Sequence, residues 1–248
     1  MNEKEIEELK AENEKLKKMN EVKSDLISIS SHQLRTSLSA LKWILKMFID
    51  EDLGKMTSEQ ANFVRKAYNS NERMIRLVND LLTLNHSGDT TVPYTITKVD
   101  LLNLIEQTVF EFSGETSKKE IDLTFLKPES PVSSIDCDEN MIRVVLQNLI
   151  ENAIKYSNPK GKIFVSLLQD NEDLKISVHD TGIGIEEEDK DEIFKKFFRA
   201  PNAIEKDAIG SGLGLYTTRN IVERHNGKIW FENMSGGGTT FFVALPIT

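Results

Sequence analysis

Ser30-Ser31-His32-Gln33-Leu34-Arg35-Thr36 opens a stretch in which apolar residues recur with a helical period. Leu34, Leu38, Leu41, Leu45 and Phe48 step by 4, 3, 4 and 3 residues, an apolar stripe along one side of an α-helix. At about 100° per residue, His32 falls roughly 200° round from Leu34, off that stripe. Arg35 and Thr36 follow His32 at the third and fourth positions and share its face. The spacing predicts a helix that carries a solvent-facing imidazole in polar company. Taken alone, that is also what an ordinary surface histidine looks like.

Working outward, residues 1–22 read as a coiled coil. Ile6, Leu9, Asn13 and Leu16 fall at successive a, d, a and d positions among Glu and Lys, and an Asn at an a position favours a parallel dimer in fixed register. The phase then slips, because Met19, Val22, Leu26 and Ile29 follow at 3, 3, 4 and 3 residues. Downstream, the helix is expected to end near Asp50–Gly54. Thr57 with Gln60 has the spacing of a capping box. A second stripe runs through Phe63, Ala67, Ser70, Met74, Leu77, Leu81 and Leu84. Residues 23–88 thus predict an antiparallel helical hairpin. One hairpin buries too little, whereas two make a four-helix bundle, so a homodimer is expected.

Residues 89–95 read as a linker. Across 96–248 the pattern turns mixed. Helical signals cover about 100–113, 138–156, 186–198 and 212–225. Strand signals cover about 121–126, 162–168, 174–180, 228–233 and 239–245. That order predicts an α+β sandwich, one sheet with helices on one face. Residues 198–211, with Pro201 and Gly210, read as a long polar loop. His225, at a helix end before Gly227, sits where a cation is favoured.

The bulk properties narrow the class. The chain of 248 residues carries a net charge of −9, which argues against nucleic-acid partners. Its one cysteine, Cys137, fits a reducing compartment. No apolar run approaches the roughly 20 residues needed to span a bilayer, and the Glu-, Lys- and Asn-rich start is unlike a signal peptide. A cytoplasmic location is expected, with an upstream sensor module absent from this chain.

Three segments of the second region bear chemistry. Asn148, Asn152, Lys155 and Tyr156 fall on one face of a helix. Amide oxygens suit Mg²⁺ and a lysine can neutralise phosphate, although a plain solvated face reads the same. Asp180-Thr181-Gly182-Ile183-Gly184-Ile185 follows a strand; its carboxylate could accept from an exocyclic amine beside a flat ring, or the segment is only a tight turn. Gly210-Ser211-Gly212-Leu213-Gly214-Leu215 opens a helix, where exposed N–H groups and the helix dipole favour anions. It is neither a Rossmann fingerprint nor a P-loop. Ser39-x-x-Lys42 lacks every companion of the nucleophilic Ser-x-x-Lys motif.

In their order and spacing these segments resemble the sensor histidine kinases of two-component signalling. Residues 148–157 are similar to the N box, 180–185 to the first glycine box, 194–199 to the F box and 210–215 to the second glycine box. Gly238-Thr239-Thr240-Phe241 is similar to the terminal Gly-Thr element and Ser31–Ser37 to the H box. The resemblance implies a dimeric helical bundle carrying Bergerat-type (GHKL) ATP-binding domains. By it, His32 would accept phosphate from ATP and pass it to an aspartate on the receiver domain of a response regulator. Asn152 would bind Mg²⁺ with Asn148 supporting it, Lys155 and Tyr156 would contact phosphates, and Asp180 would hold the adenine amine near Thr239. Gly182, Gly184, Ile185, Gly210, Gly212, Leu213 and Gly214 would shape the pocket, and Arg199 would reach the γ-phosphate. Thr36 would align water for dephosphorylating the regulator.

Two positions depart from the family pattern. Gln33 stands where a carboxylate is usual, and an amide can orient an imidazole but cannot usefully take its proton. Ser37 stands where proline is usual, so the helix should keep a backbone hydrogen bond and bend less. The rival readings are another ATPase of the same superfamily, which the His32 hairpin disfavours, and a dimeric scaffold that binds ATP without transfer, which Gln33 favours.

Overall fold

The computed structural model describes residues 3–88, 94–207, 210–234 and 237–247. The chain divides into two compact units, Met1–Pro93 and Tyr94–Thr248.

The first unit is a helical hairpin of α1 (Glu3–Ile49) and α2 (Ser58–Gly88). The turn between them places Glu51 and Gly54 at φ of 63° and 104°. The capping box forms in both directions: the Thr57 N–H donates to Gln60 Oε1 at 2.9 Å, and the Gln60 N–H donates to Thr57 Oγ1 at 3.2 Å. Across the pair, Lys42 meets Glu72 at 2.9 Å, and the fully buried Asn71 donates from Nδ2 to the Leu38 carbonyl at 2.9 Å. Helix α1 runs unbroken through Ser37, whose hydroxyl donates to the Gln33 carbonyl at 3.1 Å. A proline there would have lacked the N–H and opened this turn. Within one hairpin the α1 stripe stays half covered, since Leu34 is 51% and Leu41 41% exposed. The side chains of Ile6, Leu9, Asn13, Leu16 and His32 lie outside the described residues, as does 89–93 of the expected linker.

The second unit contains β1 (Thr97–Val99), α3 (Leu101–Glu111), α4 (Ser113–Lys118), β2 (Asp122–Leu126), β3 (Ile135–Cys137), α5 (Glu139–Tyr156), β4 (Lys162–Asp170), β5 (Asp173–Asp180), α6 (Pro201–Lys206), α7 (Gly214–Arg224), β6 (Lys228–Asn233) and β7 (Thr239–Pro246). The main sheet has the order β2-β4-β5-β7-β6, antiparallel except for the β2–β4 pair. Period-2 alternation puts Ile163, Val165 and Leu167, then Leu174, Ile176 and Val178, then Phe241, Val243 and Leu245 into the core. Helices α3, α5 and α7 pack on the sheet.

Helix α5 buries Ile142, Val145, Leu146, Leu149, Ile150, Ala153 and Ile154. Each large apolar side chain contributes roughly 1.5–3 kcal/mol on burial. Their sum fixes the rotation of α5 and leaves Asn148, Asn152, Lys155 and Tyr156 along its uncovered edge.

The structure corrects several expectations. Residues 186–198 form no α-helix; only a 3₁₀ turn, Glu187–Asp189, is present. Phe197 takes φ of 64° and spends its N–H on the Gly212 carbonyl at 3.0 Å, which no helix interior allows. The stretch 198–211 is not wholly irregular, because Pro201 starts the short α6. Strands β1 and β3 are too short to show alternation; each exists through the other, with Thr97 opposite Cys137. Tyr94 and Thr95, read as linker, pack on the second unit: the Tyr94 ring lies 5.0 Å from His225 and under the Arg224 guanidinium at 3.7 Å, and the Thr95 N–H donates to Asp138 Oδ2 at 2.8 Å. His225 is no cation site. It is buried, its Nε2 accepts from the Asp138 N–H at 3.0 Å, and desolvation lowers its pKa, so it is held neutral.

Candidate active site

The site assembles where α5 ends, β5 ends and α7 begins. At the last turn of α5, Ser157 bridges to Gly182, and the Ile183 N–H donates to the Tyr156 carbonyl at 3.3 Å. The turn after β5 therefore leans on the helix end. A Cβ at Gly182 would lie 2.5 Å from the Tyr156 carbonyl oxygen, so only glycine allows this approach.

Asp180, the last residue of β5, is only 5% exposed. Its Oδ1 accepts from the Gly182 N–H at 2.8 Å, and the Thr239 N–H, opposite it in register, donates to it as well. These bonds favour the carboxylate, but desolvation outweighs them and pushes the pKa up to about 6. Beyond it, Gly184 takes φ of 72° and Ile185 is clamped by Asn233, whose Oδ1 accepts from the Ile185 N–H at 3.1 Å. Asn233 also donates from Nδ2 to the Ile185 carbonyl.

Helix α7 starts at Gly214 with Leu213 as N-cap and no side-chain cap. A helix start of this kind, with its dipole and N–H groups pointing out of the first turn, suits an anion. Leu213 is 1% exposed and anchors the entry, its N–H donating to Ser211 Oγ at 3.1 Å. Gly212 has φ of 70°, and a Cβ there would come within 2.6 Å of the Phe197 carbonyl carbon. Asn148 ties α5 to this start, donating from Nδ2 to the Gly214 carbonyl at 3.4 Å and to Thr218 Oγ1 at 3.3 Å.

Two cations lie beside the segment that leads into α7. Lys155 Nζ lies 3.2 Å from Asp207 Oδ2 and 5.2 Å from the Tyr156 ring centroid. Arg199 donates to the Ala203 carbonyl at 3.2 Å and to the Asp207 carbonyl. Gly210 lies against both, since a Cβ there would be 2.9 Å from Lys155 Nζ and 3.1 Å from Arg199 Cζ. Asn152, one turn before Tyr156, is partly exposed on the same edge. Among the described residues no group of three or more His, Cys, Asp or Glu gathers to hold a metal.

The structure thus brings together Asn148, Lys155, Tyr156, Asp180, Gly182, Thr239, Arg199 and the Gly210–Gly214 segment. Gln33 and Thr36 belong to the first unit, exposed on α1. Asn233 and Asp207 had no sequence signal. Each acts on a residue far along the chain, 48 positions from Ile185 and 52 from Lys155, and neither sits in a motif.

Residues 137–248 match the family model of histidine kinase-, DNA gyrase B- and HSP90-like ATPases, and residues 22–89 match the His kinase A phospho-acceptor domain. The chain belongs to the sensor histidine kinases. It is 30% identical to the circadian input-output histidine kinase CikA of Synechococcus elongatus over 92% of this chain and 30% of that protein. It is 31% identical to the sensor histidine kinase WalK of Bacillus subtilis over 92% of this chain and 37% of that protein. The chain therefore spans about a third of the length of these curated relatives. Among solved structures it is similar to full-length ShkA in complex with AMPPNP, with a TM-score of 0.71, 25% identity and coverage of 90% of this chain and 45% of that one. The nucleotide-free catalytic domain of histidine kinase ThkA gives a TM-score of 0.54 and 33% identity over 61% of this chain and 95% of that one. Among the described residues no helix is long and apolar enough to cross a membrane.

Proposed function

We propose that this chain is an ATP-dependent protein histidine kinase module that phosphorylates His32 and passes the phosphoryl group to an aspartate of a response regulator. What supports this reading most is the buried Asp180 carboxyl, braced by Gly182 and Thr239. It is an acceptor suited to an adenine amine, on a chain that also carries a phospho-acceptor hairpin. Gly184 and Ile185 wall the ring, the buried Leu213 anchors the start of α7, and Lys155, Tyr156, Arg199 and the N–H groups of Gly212 and Gly214 take the phosphates. Asn152 would hold Mg²⁺; its neutral amide oxygen suits an ion that keeps water and phosphate ligands, and that ion would supply charge neutralisation. The half-covered α1 stripe supports a homodimer, in which a second hairpin shields Leu34 and Leu41. We place the chain in the cytoplasm, under an upstream sensor.

In the transfer, a ring nitrogen of His32 gives its lone pair to the γ-phosphorus. The bond from that phosphorus to the β–γ bridging oxygen breaks, and ADP leaves with the electron pair. The imidazole proton passes to solvent. The receiver carboxylate later displaces the His32 nitrogen and takes the phosphoryl group. Incubation with γ-labelled ATP and Mg²⁺ tests the reading: protein-bound label must be acid-labile and base-stable, and acid-stable label would reject it.

Two variants probe α1. Gln33→Glu supplies a carboxylate at the residue after His32, and the autokinase rate should rise roughly tenfold, below the roughly hundredfold that an ideally positioned base provides. Label accumulation in a time course measures it, and an unchanged or slower rate would count against the account. Thr36→Ala should cut dephosphorylation of the regulator by about tenfold or more while autophosphorylation changes less than twofold, because a hydroxyl that aligns water serves only the first reaction. Equal losses in both assays would remove that role.

A further inference from the structure

Lys155 and Arg199, the two cations beside Gly210, both make bonds to one residue. Asp207 closes α6 as its C-cap. Its carboxylate meets Lys155 Nζ at 3.2 Å, and its backbone carbonyl accepts from Arg199. The pair with Lys155 is largely shielded, the two side chains being 21% and 28% exposed. Gly210, which begins the segment leading into α7, lies beside both cationic heads.

A carboxylate and a phosphate oxygen offer the same chemistry to an ammonium or a guanidinium: a compact anionic acceptor for charge-assisted hydrogen bonds. One cation cannot serve both acceptors fully in the same geometry. Arg199 approaches Asp207 through backbone, whose position follows from α6; Lys155 approaches it through the charge. The charge of the carboxylate is thus the part that a conservative substitution can remove while the backbone bond to Arg199 stays.

We propose that Asp207 is an internal stand-in for phosphate: its carboxylate occupies Lys155 until a nucleotide displaces it, and it thereby sets how strongly phosphate-bearing nucleotides bind relative to bare adenosine. The inference rests on the nucleotide reading above. It assigns Asp207 no contact with the adenine; its effect runs through Lys155 and is confined to ligands that carry phosphate. The competition weakens binding of AMPPNP and leaves adenosine untouched.

The test is calorimetric titration of the full chain with AMPPNP and with adenosine, in Mg²⁺ and at two salt concentrations. Asp207→Asn keeps the backbone carbonyl that Arg199 uses and removes the charge. AMPPNP should bind roughly three- to tenfold more tightly to this variant, since a shielded ion pair no longer has to be exchanged. Adenosine affinity should not move. The gain should shrink at high salt, which screens the pair being broken. Asp207→Ala serves as the second variant and should show the same selective gain. Equal tightening of adenosine would mean that the loop, not the charge, had changed, and would overturn the proposal. Weaker AMPPNP binding would overturn it too, by showing that Asp207 holds Lys155 ready for the ligand. If wild type and variants bound AMPPNP equally, only this inference would fall. If none bound it, the nucleotide reading would fall and take the inference with it.

Discussion

His32→Ala should abolish the acid-labile phosphate that the chain acquires from γ-labelled ATP, a loss on the order of a thousandfold or more, because a nucleophile has no partial substitute. The same variant should bind AMPPNP with unchanged affinity. His32 lies on α1 in the first unit, while every residue proposed to touch nucleotide lies in the second, whose core is its own. Labelling and calorimetry on one preparation therefore separate transfer from binding. Label that survives the substitution would place the phospho-acceptor elsewhere. Loss of AMPPNP binding together with label would show that the variant had damaged the fold rather than the chemistry.

Asp180→Asn should push binding and stability in opposite directions. Burial raises the Asp180 pKa from 3.8 to about 6. A folded-state pKa above the unfolded one means a contribution that is fully favourable below about pH 4 and is lost as pH rises through 6. Above that, the folded domain carries a desolvated carboxylate, a cost on the order of 3 kcal/mol at 1.36 kcal/mol per pKa unit. Asparagine keeps an oxygen to accept from the Gly182 N–H and removes the charge. At pH 8 the apo variant should melt higher than wild type by on the order of 5 °C, and near pH 4 the difference should vanish. Its AMPPNP affinity should drop roughly ten- to a hundredfold, because the remaining NH₂ would face an adenine amine, donor against donor. Melting curves across pH and one titration decide it. A variant less stable at pH 8, or one that binds as tightly as wild type, would contradict the assignment of Asp180. A residue that strains the empty fold and serves the filled one is what a binding site is expected to contain.

Local pattern settled a large share of this protein. The helices α1 and α2, the reciprocal cap of Thr57 and Gln60, and the polar edge of α5 all rest on residues within a few positions of one another, where helix geometry alone dictates the neighbours. The strands of the main sheet were legible for the same reason, through alternation. The glycine segments could be read because a missing Cβ is a local fact about where backbone can come close, and their order along the chain was enough to point to the family.

Tertiary structure alone decided what those residues do to one another. Only folding puts Thr239 opposite Asp180 and buries the pair, so the raised pKa of that carboxyl is invisible in the sequence. Only folding turns His225 from a cation at a helix end into a neutral acceptor for the Asp138 N–H, and only folding sends the Phe197 N–H to Gly212 at the end of a stretch, 186–198, that promises a helix. The meeting of Asp207 with Lys155 and Arg199 belongs to the same class. Desolvation and long-range pairing depend on what the rest of the chain brings into contact, and no window of neighbouring residues contains that information.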